Sequence, residues 1–166
     1  MTPRATWLKR MMSLALALAF AVPLSGCGEK REEAREEEAH ESGERVLSAF
    51  ELENGIGPVK EKVELGPIDQ ALADKGKGIF ESKCSMCHKM DTTYVGPSLG
   101  EVTTRRTPAF IMNMILNPQE MVEHHPVAKQ LLAERMTFMA NQNLSLEDAR
   151  AVLEYLRTQA KGAPKP

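Results

Sequence analysis

The amino-acid sequence predicts an all-α domain of about four helices, and two patterns in its second half carry that prediction. Apolar side chains recur at helical spacing near the C-terminus, at Val152, Leu153 and Leu156. Thr107 followed by Pro108 is typical of a helix N-cap and first helical residue. No stretch of useful length alternates apolar and polar residues as a half-buried strand does. The 166 residues suffice for one ordinary domain with tails.

The first 26 residues have the features of an export signal. A basic start contains Arg4, Lys9 and Arg10, and an apolar run rich in Ala and Leu follows at 11–22. That run is about a dozen residues long, whereas a helix needs roughly 20 to span a bilayer. We therefore expect residues 1–26 to be cleaved as a signal peptide rather than to remain as a transmembrane anchor.

The signal ends in the sequence LSGC, which resembles the lipobox of bacterial lipoproteins. The resemblance implies that Cys27 becomes the first mature residue and that its sulfur carries a diacylglycerol, which tethers the protein without a spanning helix. Gly28 stands where an aspartate holds lipoproteins at the inner membrane in well-studied Gram-negative systems, and this weakly favours the outer membrane. A plain export signal with an incidental cysteine is the alternative.

Residues 27–66 are expected to separate the lipid from the folded domain. Residues 28–45 hold eight Glu and four Lys or Arg without a large apolar side chain, so they form a charged tether or a solvated helix. Residues 46–66 are mixed in character and could lie across the domain surface. Cleavage before Cys27 would leave five more acidic than basic residues, so the charge gives no indication of nucleic acid as a partner.

The first predicted helix lies in the segment GPIDQALADKGKGIFESKCSMCH, with Pro67 near its start. Gly76 and Gly78 fall inside this helix. Each glycine costs a helix about 1 kcal/mol relative to alanine, so these two require a reason. We expect that another helix approaches closely at this point.

Three further helices are expected downstream, and the first of them ends at Leu116, before Asn117 and Pro118. Residues 117–126 then have the composition of a loop, which would leave His124 and His125 exposed. The segment PVAKQLLAERM follows directly and reads as the next helix. The last helix is capped by Ser145, with an acidic residue three positions later as in a capping box.

The sequence KCSMCHKM, at residues 83–90, is the most specific motif in the chain. Cys84 and Cys87 are three residues apart, and His88 follows at once. A redox dithiol of this spacing belongs beside a βαβ pattern, which is not predicted here, and structural zinc commonly uses a second ligand pair. The order Cys-x-x-Cys-His is the specific signature of haem c attachment. We therefore favour a haem over zinc or a dithiol.

The chemistry of haem attachment explains this spacing. Cysteines three residues apart lie on one helical face, so both sulfurs can form thioethers with the two vinyl groups of one haem. A histidine directly after them can then place its imidazole beneath the ring as the proximal iron ligand. A bound haem would also supply apolar surface to a chain in which only 5% of residues are aromatic.

From Gly76 onward, the chain resembles a class I monohaem cytochrome c of bacterial lipoprotein type. The resemblance rests on the segments GKGIFESKCSMCH, YVGPSLG and DARAVLEYLR. It implies the cytochrome c fold, wrapped around one covalent haem c, over residues 67–160, with a tail at 161–166. It also implies that the carbonyl of Pro97 accepts a hydrogen bond from the ring of His88 and so fixes its orientation.

The sixth iron ligand is expected to be a methionine, which would suit electron transfer. We favour Met139, because it precedes a turn and a capped helix, a register that looks like that of short bacterial cytochromes. Met136 is the runner-up, since it begins a Met-x-Phe segment similar to the ligand segment of some relatives. Met121, or one of His124 and His125, is a further alternative.

The resemblance implies a membrane-tethered electron carrier and not an enzyme, one that passes single electrons between respiratory partners outside the cytoplasm. A haem peroxidase or gas sensor with a labile sixth ligand is the alternative, and it would need a distal acid–base residue. The stretch from ILNPQEM to MANQNLS resembles small cytochromes associated with nitrous-oxide reductase systems. A terminal reductase of that kind, or an oxidase, is therefore a candidate redox partner.

Overall fold

The computed structural model describes residues 45–161, all of which belong to one compact unit. The expected signal peptide, the lipidation of Cys27 and the charged tether lie outside the described residues. No helix within the described range is both long and apolar enough to cross a membrane.

Seven helices and no strand occur within residues 45–161, which confirms the all-α prediction. In chain order the helices are α1 (Ala49–Asn54), α2 (Gln70–Lys83), α3 (Val102–Arg105), α4 (Pro108–Leu116), α5 (Pro118–His124), α6 (Pro126–Arg135) and α7 (Leu146–Gln159). Four of them, α2, α4, α6 and α7, match the helices expected from the sequence. The short helices α1, α3 and α5 are additional.

The helix caps follow the expected side-chain chemistry. The hydroxyl of Thr107 accepts a hydrogen bond from the Phe110 amide at 3.1 Å and so starts α4. Ser145 and Asp148 form the reciprocal capping box that starts α7. The first long helix begins slightly later than expected, because Asp69 rather than the segment at Pro67 caps it.

Helices α2 and α7 pack against each other across a close contact. A Cβ atom at Gly76 would overlap the carbonyl group of Ala151, so only glycine permits this approach. Beyond the crossing, the rings of Phe80 and Tyr155 lie with their centroids 5.4 Å apart. Gly78 has nothing within 4 Å of the corresponding position, so the expected close approach is correct at the first glycine and wrong at the second.

A buried carboxylate fixes the start of α2 to α7. Glu154 is fully buried, and it accepts hydrogen bonds from the backbone amide of Asp69 at 2.9 Å and from Arg157 at 2.6 Å. Arg150 donates a third at 3.2 Å, and Arg157 also donates to the carbonyl of Gly66. The carboxylate is therefore fully paired, as a charge at this depth must be.

The segment upstream of Pro67 packs into the same unit rather than only lying over its surface. Ile56 is 1% exposed and Val59 is 9% exposed. The side chain of Asn113 on α4 is completely buried against this segment, and it bonds to backbone groups at both ends of residues 54–59. The packed residues thus extend upstream of the point where the sequence analysis begins the haem domain.

The expected loop over residues 117–126 is wrong, because most of it forms α5. Pro118 occupies the first helical position, where its missing amide hydrogen costs nothing. His125 was expected to be exposed, yet it is fully buried. Its ring caps α6 by accepting a hydrogen bond from the Val127 amide. His124 is partly exposed beside Glu123.

Candidate haem site

A cavity of about 310 Å³ opens between the Cys-x-x-Cys-His segment and the helices α4 and α6. Cys84, Cys87 and His88 line one side of it, and Met139 lines it from the connection between α6 and α7. The structure thus brings the expected covalent anchors, the expected proximal ligand and the favoured sixth ligand to one cavity. Apolar side chains that complete its wall include Phe110, Ile111, Met114, Ile115, Leu131, Leu132, Val152 and Leu156.

The ring of His88 is held by its neighbours in a defined orientation. Its Nδ1 lies 3.0 Å from the carbonyl oxygen of Pro97, as the family resemblance implies. A carbonyl only accepts, so Nδ1 carries the proton and Nε2 keeps a lone pair for a metal. A Cβ atom at Gly96 would overlap the imidazole, so glycine is required for the ring to lie there. The Gly96 amide also donates to the Cys87 carbonyl at 2.9 Å.

The two cysteines lie at the end of α2 and on the turn that follows. The amide of Cys84 donates to the carbonyl of Phe80, and the amide of His88 donates to the carbonyl of Cys84, each at 2.9 Å. This continuous turn carries all three side chains to the cavity. Both thiols are free, and burial together with the neighbouring Cys87 raises the pKa of the Cys84 thiol.

The methionines considered as iron ligands differ in exposure and in whether they line the cavity. Met139 is half-buried and lines the cavity, whereas Met136 is 89% exposed and ends α6 in a left-handed conformation with φ of 51°. Met121 is fully buried elsewhere, and its sulfur accepts a hydrogen bond from the Ile56 amide at 3.0 Å. Met112 is a buried core residue, whereas Met114, which the sequence analysis did not assign to the site, lines the cavity.

Neither of the paired histidines lines the cavity. The Nε2–H of His125 donates to the carbonyl of Leu52 at 3.2 Å, while its Nδ1 accepts from Val127. Burial lowers the pKa of His125, which keeps the ring neutral. His88 is therefore the only histidine within residues 45–161 that reaches the site, and a distal histidine acid–base group is absent from this part of the chain.

Four basic residues line the cavity, and the sequence analysis assigned none of them to it. They are Lys83, Arg105, Arg106 and Arg135, and no acidic side chain of the described residues joins them. In the sequence, two of them are adjacent at 105–106 and a third ends the segment AKQLLAER. Only the fold shows that these positions face one cavity. An excess of positive charge suits a group that brings carboxylates.

The residues present fit a covalently bound haem c. Two thiols, an oriented imidazole and a thioether reach the cavity, and the basic side chains could pair with the two haem carboxylates. A zinc site finds no support, since no three His, Cys, Asp or Glu side chains among the described residues could together hold a metal ion. When bound, the haem supplies an iron that changes between the ferric and ferrous states.

Comparison with known proteins gives a consistent result. The family model for cytochrome c matches residues 73–160. A solved cytochrome c from Rhodothermus marinus is 49% identical with a TM-score of 0.64, and the alignment covers 69% of this chain and 98% of that one. An engineered form of that cytochrome is 47% identical, again with a TM-score of 0.64, over 69% of this chain and 100% of the other.

Curated relatives match over shorter lengths. A cytochrome c-553-like protein from Synechocystis sp. is 34% identical over 64 residues, which cover 31% of this chain and 61% of that protein. Cytochrome c-551 from Stutzerimonas stutzeri is 46% identical over 39 residues, 23% of this chain and 38% of the relative. The chain thus spans less than two thirds of either relative.

The family model covers just over half of the chain, and it includes the Cys-x-x-Cys-His segment, the Gly-Pro segment and the connection that carries Met139. The helical fold is shared with solved cytochromes c, and the cofactor of this family is a covalently attached haem c. The chain carries one such haem. It belongs to the cytochrome c family of electron-transfer haem proteins.

Proposed function

We propose that this protein is a membrane-tethered electron carrier whose single haem c is ligated by His88 and Met139. The observation that carries the proposal is the cavity that both side chains line, together with the 89% exposure of the rival Met136. With both axial positions filled by the protein, the iron has no open site for a substrate. Single-electron transfer is the chemistry that such a site supports.

The surroundings of His88 support its role as the proximal ligand. A hydrogen bond from Nδ1 to the carbonyl of Pro97 fixes the tautomer and increases the basicity of the opposite nitrogen. Cys84 and Cys87 would hold the haem covalently, so the cofactor cannot dissociate in either redox state. Gly96 keeps the ring close to the Gly-Pro segment. These residues orient the site, and they transfer no proton in the reaction.

The alternative of a peroxidase or gas sensor has weaker support. It requires a sixth ligand that leaves readily and a group that moves protons on the distal side. His124 and His125, the residues considered for that role, lie away from the cavity, and His125 is occupied by the Leu52 carbonyl and the Val127 amide. We therefore retain electron transfer as the function.

We propose an extracytoplasmic location, with the protein anchored through a lipid on Cys27. The support is the basic start and apolar run of residues 1–26 and the LSGC segment, followed by the charged residues 28–45. A tether of this kind holds the domain near its donor and acceptor and raises its effective concentration there. Redox proteins are the expected partners, and a terminal reductase such as nitrous-oxide reductase, or an oxidase, remains a candidate by family resemblance.

The ligand assignment is tested by Met139→Ala and Met136→Ala in parallel. The ferric wild-type protein should show the weak far-red absorption band of methionine–iron ligation. We expect this band to disappear in Met139→Ala and to persist in Met136→Ala, because only Met139 lines the cavity. Haem staining after denaturing electrophoresis verifies that both variants keep the covalent cofactor.

Two results would contradict this proposal. A far-red band that survives in Met139→Ala would show that another residue ligates the iron. High-spin features in the wild-type spectrum that change on adding peroxide or carbon monoxide would favour the peroxidase or sensor instead.

A further inference from the structure

Arg135, the last residue of α6, has an unusual hydrogen-bond state. Its Nε is buried, and it is the one buried polar side-chain atom within residues 45–161 that has no hydrogen-bond partner. The nearest acidic group, the Glu134 carboxylate, lies 4.0 Å from Nη2 and is partly exposed. Leaving a buried, charged donor unpaired is costly, so an acceptor is expected at this position.

A group bound in the cavity is positioned to supply this acceptor. Arg135 lines that cavity, and no acidic side chain of the described residues lines it with the arginine. A covalent haem brings two carboxylates into this space, and a guanidinium is the side chain best suited to bind a carboxylate through parallel N–H donors.

Arg135 lies directly before the connection from α6 to α7, which carries Met139. Met136 ends α6, with its amide donating to the Leu132 carbonyl at 2.8 Å and φ of 51°. We call residues 136–144, which connect α6 to α7, the ligand loop. Arg135 is therefore the last helical residue before the segment that carries Met139.

The hydrogen bonds of the ligand loop are concentrated in its second half. Asn141 donates to the Leu116 carbonyl at 3.4 Å, and the Asn143 amide donates to the Asn141 side chain at 2.8 Å. Among the described contacts, residues 137–139 form no hydrogen bond. The position of residues 137–139 is therefore set by the end of α6, at Arg135, rather than by hydrogen bonds of their own.

We propose that Arg135 is a positioning residue for the sixth iron ligand. Its guanidinium binds a haem carboxylate, and this bond anchors the first half of the ligand loop so that Met139 is held against the iron. The inference rests on the proposed His88 and Met139 ligation. Without the anchor, the loop leaves the iron more readily and an external ligand competes more successfully.

The test uses the full-length ferric holoprotein and imidazole as the competing ligand. Imidazole is titrated while the far-red methionine–iron band is followed in Arg135→Gln, Arg135→Lys and a matched control, Lys129→Gln. Lys129 lies on the same helix, but it is exposed and does not line the cavity. Its substitution therefore removes one positive charge from α6 without changing the cavity. Losing a hydrogen bond to a charged group should strengthen apparent imidazole binding about tenfold in Arg135→Gln. The control should bind imidazole like the wild type.

Arg135→Lys separates positioning from simple charge. Lysine keeps the positive charge but lacks the planar fork of donors, so we expect an intermediate imidazole affinity. Ligand exchange, followed in stopped-flow mixing as the rate at which imidazole displaces Met139, should be faster in both Arg135 variants than in Lys129→Gln. This second measurement needs only a folded holoprotein, which haem content and circular dichroism establish.

The outcomes distinguish the inference from the function on which it rests. A normal far-red band with wild-type imidazole affinity and displacement rate in Arg135→Gln overturns the role of Arg135 and leaves Met139 as the ligand. A wild-type protein without the band overturns the Met139 assignment itself, and with it this role.

Discussion

At the scale of single residues, Gly96 determines how closely the Gly-Pro segment approaches the imidazole of His88. A side chain of any size at this position would overlap the imidazole of His88. The same ring is held from its Nδ1 by the Pro97 carbonyl at 3.0 Å. The ring therefore has one orientation available, with Nε2 free for the iron.

We predict that Gly96→Ala lowers the stability of the holoprotein by roughly 2 kcal/mol, which is typical of overpacking a tight contact. The added methyl group must displace the His88 ring or the segment that faces it. Urea unfolding of the ferric holoprotein, followed by its haem absorption, measures the change. Gly78→Ala serves as control, because that position is open and alanine there should stabilise the helix by about 1 kcal/mol. Equal stability changes in the two variants would contradict the role given to Gly96.

From the sequence, the residues that line the cavity beside His88 were easier to predict than those on its opposite side. The anchors and His88 are adjacent in the chain, so local spacing alone brings them together. Met139 could be selected only by its register before the Ser145 cap. Met114 and Arg135 were missed, because their participation depends on which face of α4 and α6 meets the cavity.

At the scale of secondary-structure elements, the side chain of Asn113 joins the segment 45–65 to α4 through several hydrogen bonds. Its side-chain oxygen accepts from the Val59 amide at 2.9 Å, and its NH₂ group donates to the carbonyls of Asn54, Gly55 and Val59. Ile111 and Met114, its near neighbours on α4, line the cavity. The segment thus packs against α4 next to the residues of this helix that line the haem cavity.

We predict that Asn113→Leu destabilises the protein by roughly 3 kcal/mol, since it leaves several buried backbone groups without a partner. Urea unfolding measures the loss, and amide exchange at residues 55–59 should accelerate in the folded state. Gln130→Leu, an exposed substitution of the same type on α6, should change stability little. Protection of residues 55–59 that remains at the wild-type level would argue against this attachment.

The elements with strong local signals were predicted correctly, and those fixed by tertiary contacts were not. The caps at Thr107 and Ser145 each involve only three or four consecutive residues, so the local sequence is enough to predict them. Helix α5 begins with Pro118, ends at His124 and is followed by His125 and Pro126, so the composition of this region resembles a loop. Met121 and Val122 are buried in an apolar cluster with Ile56 and Phe110, and this burial stabilises α5 as a helix although Ile56 is distant in sequence.

At the scale of the whole molecule, His125 lies where α1, α4 and α6 meet. Its Nε2–H donates to the Leu52 carbonyl of α1, its ring contacts Phe110 of α4 with centroids 5.2 Å apart, and it caps α6. The guanidinium of Arg106 lies over the Phe110 ring, 5.2 Å from its centroid. Its positive charge disfavours a proton on the nearby His125. A proton on His125 would therefore disturb three elements together.

Burial lowers the pKa of His125 below its usual value of 6.5, with a smaller contribution from Arg106, whereas the carbonyls of Leu52 and Glu51 favour the charged form. The unfolded chain therefore binds this proton more readily than the folded one. The stabilisation by neutral His125 is complete above the unfolded pKa and is lost as the pH falls through the folded pKa.

We predict that the free energy of unfolding of the wild-type holoprotein declines between about pH 7.5 and about pH 5, and that His125→Asn reduces this decline. Asparagine can still accept the Val127 amide as an N-cap, but it does not titrate. Urea unfolding at both pH values measures the difference, and His124→Asn is the matched control because that ring is partly exposed. If both variants lose stability with the wild-type pH dependence, the groups that govern acid unfolding lie elsewhere, and the contact of α1 with α6 does not depend on a neutral ring at position 125.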